Sequence, residues 1–450
     1  MLKRSLYHRS LKGLAVVIAA SLCIDSATAE QLAFPEAEGY GRFARGGRGG
    51  RILFVTNLKD RGPGSLRAAI EAEGPRIVVF SVSGTIVLES ELRIVHPRIT
   101  IAGQTAPGDG ICLRRYPLII SADDTIVRYL RVRLGDEAGQ LVDGIDVKNA
   151  ENVVVDHCSV SWTLDEAVNT YHGSKNLTIQ WCLISESLHD SPLREGHGFA
   201  ATLGGVNTSY HHNLFANNAG RNPSIGGGGT VTPSTNLDFR NNVIFNWEYR
   251  TLDGRPHSIN IVNNYYKAGP ASRDGLKIVK MQSLHDGSFG RWFVSGNVLE
   301  DRSGALRQSE LVAIDTTNVP LEAALVVDPV EFAPVITQPP KEAYEDVLSR
   351  SGATLPKRDP VDTRTIREVR TGRTTHGRGI ISSQTEVGGW PELLSAQPPQ
   401  DSDADGMPDE WERQYGSTAG LSLQSAQDLD GDGYTNIEEY LNLTDPTVKD

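Results

Sequence analysis

One four-residue register recurs from about residue 99 onward, and it limits the fold more than any other feature of the chain. Ile101-Ala-Gly-Gln104, Val127-Arg-Tyr-Leu130, Val155-Asp-His-Cys158 and Ile179-Gln-Trp-Cys182 come first. Tyr210-His-His-Asn213, Phe239-Arg-Asn-Asn242, Ile261-Val-Asn-Asn264 and Val294-Ser-Gly-Asn297 follow, and the last positions lie 22 to 33 residues apart. A spacing of that order marks a repeat architecture. The segments alternate with period two and are rich in Val, Ile, Asn and Gly, which excludes helical repeats. Each repeat should therefore supply one turn of a parallel β-helix, with unequal loops absorbing the differences in length. The closing position reads Cys158, Cys182, Asn213, Asn242, Asn264 and Asn297. Stacked Asn side chains can bond both the backbone and each other at a bend repeated on every turn. Cys158 and Cys182, one turn apart, are expected inside as buried thiols, with a disulfide as the alternative.

What flanks the repeat sets the organisation. Lys3, Arg4, Arg9 and Lys12 precede an apolar run from Leu14 to Ile24, and Ala27-Thr-Ala29 follows. That run is too short to span a bilayer, so residues 1–29 read as a secretory signal peptide and the protein as secreted. Three cysteines remain beyond it, Cys112, Cys158 and Cys182, and an odd count argues against a disulfide framework. Ser65 to Glu71 has helical spacing and suits a short helix closing the open end of the core. The Pro-rich stretch 329–340 reads as an extended crossover, and Lys341 to Ser351 and Asp362 to Arg370 as helices. The expected layout is all-β: a parallel β-helix over 30–335, an extension packed on it over 336–395, and a small helix–loop module over 396–450.

That last module holds most of the charge. Residues 401–450 carry thirteen acidic and two basic residues against a net charge of −12 for the whole chain. An acidic protein without a basic arm is a poor partner for nucleic acid. Asp401-x-Asp403-x-Asp405-Gly406, with Asp409 and Glu412 behind it, places oxygen donors at positions 1, 3, 5, 9 and 12 of an EF-hand-like loop. Asp428-x-Asp430-x-Asp432-Gly433, with Asn436 and Glu439, repeats the pattern. Both are read as Ca²⁺ loops that staple structure, each followed by a helix.

A second group of hard oxygen donors sits near two adjacent turns in mid-chain: Asp143, Asp165, Glu166 and Asn169. Such donors in a loose shell suit Ca²⁺ and leave room for substrate carboxylates. Together with Val155-Asp156-His157-Cys158, Ser161-Trp-Thr-Leu-Asp165-Glu166, Ile184-Ser-Glu-Ser-Leu, Tyr210-His-His-Asn213-Leu and Arg221-Asn-Pro223, the chain resembles polysaccharide lyases of the pectate lyase type over roughly residues 34–395. The resemblance implies a right-handed parallel β-helix and Ca²⁺-dependent β-elimination on α-1,4-linked polygalacturonate. It implies Asp143, Asp165 and Asn169 as calcium ligands, with Glu166 compensating for a neutral Asn169 where the family usually has an acid. It implies Arg221 as the base, and Asp156 and His157 as supports of the site. Ser224, Ile225 and Gly226 follow Pro223 where relatives often carry basic residues. Arg194 is then the candidate replacement for a substrate-binding Lys, with His197 beside it. Arg240, with Arg250 and Arg255, lies on later turns as a candidate contact to the uronate chain.

Two other functions compete with elimination. A hydrolase needs two carboxylates flanking one bond, and Asp165-Glu166 lacks an Asp pair on the next turns. A solenoid that only binds uronate polymer would make Arg221 structural. The partner expected is polygalacturonate, with no nucleic acid and no membrane after signal cleavage, and the chain acting as a monomer.

Overall fold

Each repeat supplies three short strands, and each strand pairs with its counterpart one turn away. The first sheet has ten strands, from Arg51–Val55 and Arg76–Phe80 through to Arg291–Ser295. The second, also of ten, runs from Gly84–Val87 to Leu306–Arg307, and the third, of nine, from Leu92–Ile94 to Ile314–Asp315. Pairing is parallel except at the last strand of the second sheet, Leu306–Arg307, which runs antiparallel to Val298–Glu300. The expected parallel β-helix is the fold observed. This computed structural model describes residues 30–226, 234–273, 277–307, 314, 315, 317, 319–419 and 423–449. The signal segment read over 1–29 lies outside them. Among the described residues no helix is long and apolar enough to cross a membrane.

The recurring register explains how the turns stack. Its first position forms one inward column of the core, Val127, Val155, Ile179, Tyr210, Phe239, Ile261 and Val294. Its third position bends the chain: Tyr129, His157, Trp181, His212, Asn241 and Asn263 all take positive φ, between 49° and 56°. That conformation costs a side-chain-bearing residue about 1 kcal/mol or more, so something must hold it. The fourth position does. Asn213 donates through Nδ2 to Oδ1 of Asn242 at 3.0 Å, Asn242 to Asn264 at 3.0 Å and Asn264 to Asn297 at 2.9 Å. Each Asn Oδ1 also accepts the backbone N–H of the previous rung, including Cys182 N–H at 2.9 Å. Cys158 and Cys182 are free, buried thiols. A further ladder, at the start of the first-sheet strands, links Asn152, Asn176, Asn207 and Asn236.

The remaining chain covers the solenoid. Leu66–Ile70 is a short helix capped by Ser65, whose Oγ accepts from Ala68 N–H at 3.2 Å. Residues 329–339 run in irregular backbone over the first sheet, where Asn260 and Val330, and Asn241 and Gln338, exchange backbone–amide bonds. Helices Pro340–Arg350 and Pro360–Thr371 pack Tyr344, Val347, Leu348 and Val369 on the second sheet. Arg133, wholly buried, pairs with Asp359 and Asp362 beneath them. The tail places Met407, Leu423, Ile437 and Leu441 on Ile77, Val79 and Ala102 of the first sheet, and Arg48 pairs with Glu438 at 2.8 Å. Residues 32–450 thus make one compact unit.

Two sequence readings change here. Arg240 stands on the outer face of the first sheet, in one row with Arg128, Asp156, Gln180 and His211. Its guanidinium is buried, held by Asp238 at 2.6 Å, Thr337 at 2.7 Å and the Phe332 ring. It is covered by the crossover and does not reach the third sheet. Asp156 and His157 belong to that same wall. Burial opposes the charge on Asp156, yet His157 at 2.7 Å and Arg128 at 2.8 Å hold its carboxyl well below the usual carboxylate range. They support the wall, not the carboxylate site.

Candidate active site

The third sheet carries the mid-chain donors because Asn169 lies in one of its strands and the others just before them. Strands Ile145–Lys148, Val168–His172, Ala201–Leu203 and Ser224–Ile225 stack in register, so Asp146, Asn169, Thr202 and Ser224 form one row, which Asp253 continues. Asp143, Asp165 and Glu166, and Arg221, sit in the loops that feed these strands. Parallel stacking turns residues about 25 apart in sequence into neighbours.

Three carboxylates meet there. Asp143, Asp165 and Glu166 each offer an oxygen within 4.8 Å of the others. Asp143 accepts the Glu166 N–H at 3.1 Å and the Asn169 Nδ2 at 3.0 Å. Asp165 accepts from His197 Nε2 at 2.9 Å. Burial, then the neighbouring Asp146 charge, push the Asp143 carboxyl up to about 7. Burial also raises Asp146, whose Oδ1 is buried without a hydrogen-bond partner while Oδ2 pairs with Lys148. A set of hard oxygens that repel one another fits a calcium-type cation, which would relieve the repulsion.

Arg221 closes the site from two turns beyond Asp165 and Glu166. It has φ 51°, and its Nη1 pairs with Glu166 Oε1 and donates to Thr202 Oγ1 at 3.2 Å. Thr202 in turn donates to Glu166 at 2.6 Å. The guanidinium lies 4.0 Å from the Phe199 ring centroid and that of Arg250 5.5 Å from the same ring. Burial, then the Arg250 charge, push the Arg221 pKa down against the pull of Asp165 and Asp253. Its side chain is still 30% exposed, so a polymer lying along the sheet can touch it.

The candidates named from sequence fare unevenly. Asp143, Asp165, Glu166, Asn169 and Arg221 come together. His197 is a correction: it is buried, 2% exposed, and holds Asp165 instead of facing a ligand. Arg194 is exposed in the loop 190–197, and among the described contacts its guanidinium has no partner. Arg255 stands further along the third sheet on Gln282. Thr202, Phe199 and the proximity of Arg250 escaped the sequence reading, although Thr202 follows from the register once Asn169 is placed. In the tail, Asp401, Asp403 and Asp405 converge, as do Asp428, Asp430 and Asp432. Position 9 of the first loop departs: Asp409 accepts from the Ser402 N–H at 2.7 Å and hydroxyl at 2.8 Å. Glu412, pushed up to about 7 by burial and then by Asp403, Asp405, Asp409 and Asp401, lies outside the first triad. Asn436 and Glu439 are buried in the helix Asn436–Asn442, with Asn436 donating to Gln424 O at 2.9 Å.

Fold and site together define a parallel β-helix protein with a carboxylate–guanidinium centre on one open sheet. No family model matches the chain. It is 37% identical over 424 residues to a probable pectate lyase C of Aspergillus terreus, covering 92% of this chain and 94% of that protein. It is 35% identical over 431 residues to the probable pectate lyase C of Aspergillus flavus, covering 93% and 96%. Among solved structures, the cedar pollen allergen jun a 1 superposes with TM-score 0.55 at 18% identity, over 71% of this chain and 93% of that one. A pectate lyase bound to hexasaccharide gives 0.52 at 13%, over 73% and 99%. The chain belongs to the pectate lyases, a family of polysaccharide lyases.

Proposed function

We propose that the protein is a secreted lyase that cleaves α-1,4-linked polygalacturonate by Ca²⁺-dependent β-elimination on the third sheet. The observation that carries this reading is Arg221, partly exposed and paired with Glu166 from two turns further on, beside the three converging carboxylates. Asp143, Asp165 and Glu166 would hold the cation, with Asn169 joining once its amide turns its oxygen inward. A calcium ion bound there would oppose the uronate carboxylate charge and so acidify the C5 proton. Arg221, with its pKa lowered, takes that proton; the C4–O bond breaks, the C4–C5 double bond forms, and the departing oxygen gains a proton from solvent. Arginine is a poor base at neutral pH because its pKa exceeds about 12, so the lowered value and an alkaline optimum belong together. Arg250 supplies a second positive charge where Ser224, Ile225 and Gly226 leave none. The tail triads are proposed as structural Ca²⁺ loops that fix the tail on the first sheet.

Hydrolysis is the weaker reading. It needs two carboxyl groups on opposite sides of one bond, whereas Asp143, Asp165 and Glu166 converge on a single point. The test is ultraviolet absorbance during incubation with polygalacturonate at alkaline pH, with and without chelator. Unsaturated product that requires calcium supports elimination; reducing ends without that absorbance would replace it with hydrolysis.

A further inference from the structure

Away from the third sheet, three metal-binding side chains converge where the N-terminal segment folds over the first sheet. Glu38, His211 and His212 each offer a ligand atom within 4.8 Å of the others. We propose that they form a site for one divalent transition metal of the zinc class, pinning the N-terminal segment to the solenoid.

Tautomers make the argument. Gln338 donates from Nε2 to Asp346 Oδ2 at 2.6 Å, which turns its Oε1 to His212 Nε2 at 3.0 Å. His212 must then carry its proton on Nε2, leaving a lone pair on Nδ1. That lone pair faces Nδ1 of His211 at 2.9 Å, with Glu38 Oε2 3.9 Å from the same nitrogen. Those two distances bracket the ~3.3 Å between adjacent ligands in a tetrahedral zinc shell. His211 is fully buried, and the atom it turns to His212 and Glu38 is Nδ1. Glu38 is aimed by the Ile336 N–H, which donates to Oε1 at 3.2 Å. The chain Asp346–Gln338–His212 is the kind of outer support that fixes a ligating imidazole. Nearby cations are already engaged, Arg240 by Asp238 and Arg350 by Glu36. Imidazole donors distinguish this site from the all-oxygen clusters and select a softer metal than calcium.

The experiment is zinc binding to the full chain, stripped of metal and then held in excess calcium so that the carboxylate clusters are filled. One equivalent of zinc per chain is expected, read by competition against a chromophoric chelator. E38Q, an isosteric change at a partly buried position whose Gln oxygen can still accept the Ile336 N–H, is expected to weaken binding at least tenfold. D346N, which touches no metal, is expected to weaken it about 10–100-fold, and circular dichroism checks that both fold. No zinc uptake by the wild-type chain, or uptake unchanged in both variants, would overturn the site and leave His211–His212 as a hydrogen-bonded pair.

Discussion

Two carboxylate–guanidinium pairs, Glu166 with Arg221 and Asp156 with Arg128, do different work on different walls. Arg221 is partly exposed, beside carboxylates and a second arginine, and its pKa falls. R221A is expected to lower kcat by about 10²–10⁴-fold with an unchanged circular dichroism spectrum, measured by unsaturated product. Removing the neighbouring charge with R250A should let the Arg221 pKa rise, so the rising limb of the pH–rate profile moves to higher pH; a limb that stays put would detach Arg221 from proton transfer. Asp156 behaves oppositely, because it is buried between His157 and Arg128 and its carboxyl titrates low. A depressed folded pKa gives stability that is present above the unfolded value of 3.8 and lost as pH falls through the folded one. D156N should therefore cost about 3–5 kcal/mol at neutral pH, since Arg128 is left buried without its partner. The gap between variant and wild type should close below pH ~3.8 in denaturant titrations.

Among elements, the Asn ladder is the device that lets strands meet at left-handed corners. Asn242 sits mid-ladder: it accepts from Asn213 and donates to Asn264 and to the Tyr210 carbonyl at 2.9 Å. N242A leaves several buried polar groups unsatisfied and is expected to cost about 2–4 kcal/mol by chemical denaturation. N297A, at the last rung, should cost less, because no later Asn depends on it. Equal costs would mean that the rungs act singly. The ladder was legible in the sequence because it is strictly periodic, as were the helices over 340–350 and 360–371, which carry their own apolar spacing and start at Pro. The ladder through Asn152, Asn176, Asn207 and Asn236 was passed over because no fixed apolar flank marks it.

At the scale of the molecule, the acidic tail is a cover for the first turns and not a free appendage. Met407, Ile437 and Leu441 shield Ile77, Val79 and Ala102, while the carboxylate site faces out from another sheet. Deleting residues 396–450 is expected to lower the melting temperature by several degrees and to leave kcat on polygalacturonate unchanged. Lost activity in a chain that still folds would tie the tail to the site. The same wall logic removed Arg240 from the substrate path: period alone put it on a later turn, but three walls share each turn, and the crossover at 332–337 covers the wall it stands on.

The sequence by itself determined the period, hence the parallel β-helix, the ladder at Asn213, Asn242, Asn264 and Asn297, and the grouping of Asp143, Asp165, Glu166 and Asn169 with Arg221. Those features are local or repeat at a near-constant spacing, and stacking converts spacing directly into adjacency. Only the tertiary structure decided which wall each residue faces. His197 is turned inward to Asp165, Thr202 is set between Glu166 and Arg221, and Glu38 is brought to His211 across 173 residues of sequence. Those contacts depend on how loops of unequal length fold back over a sheet, and no periodic pattern in the sequence encodes that.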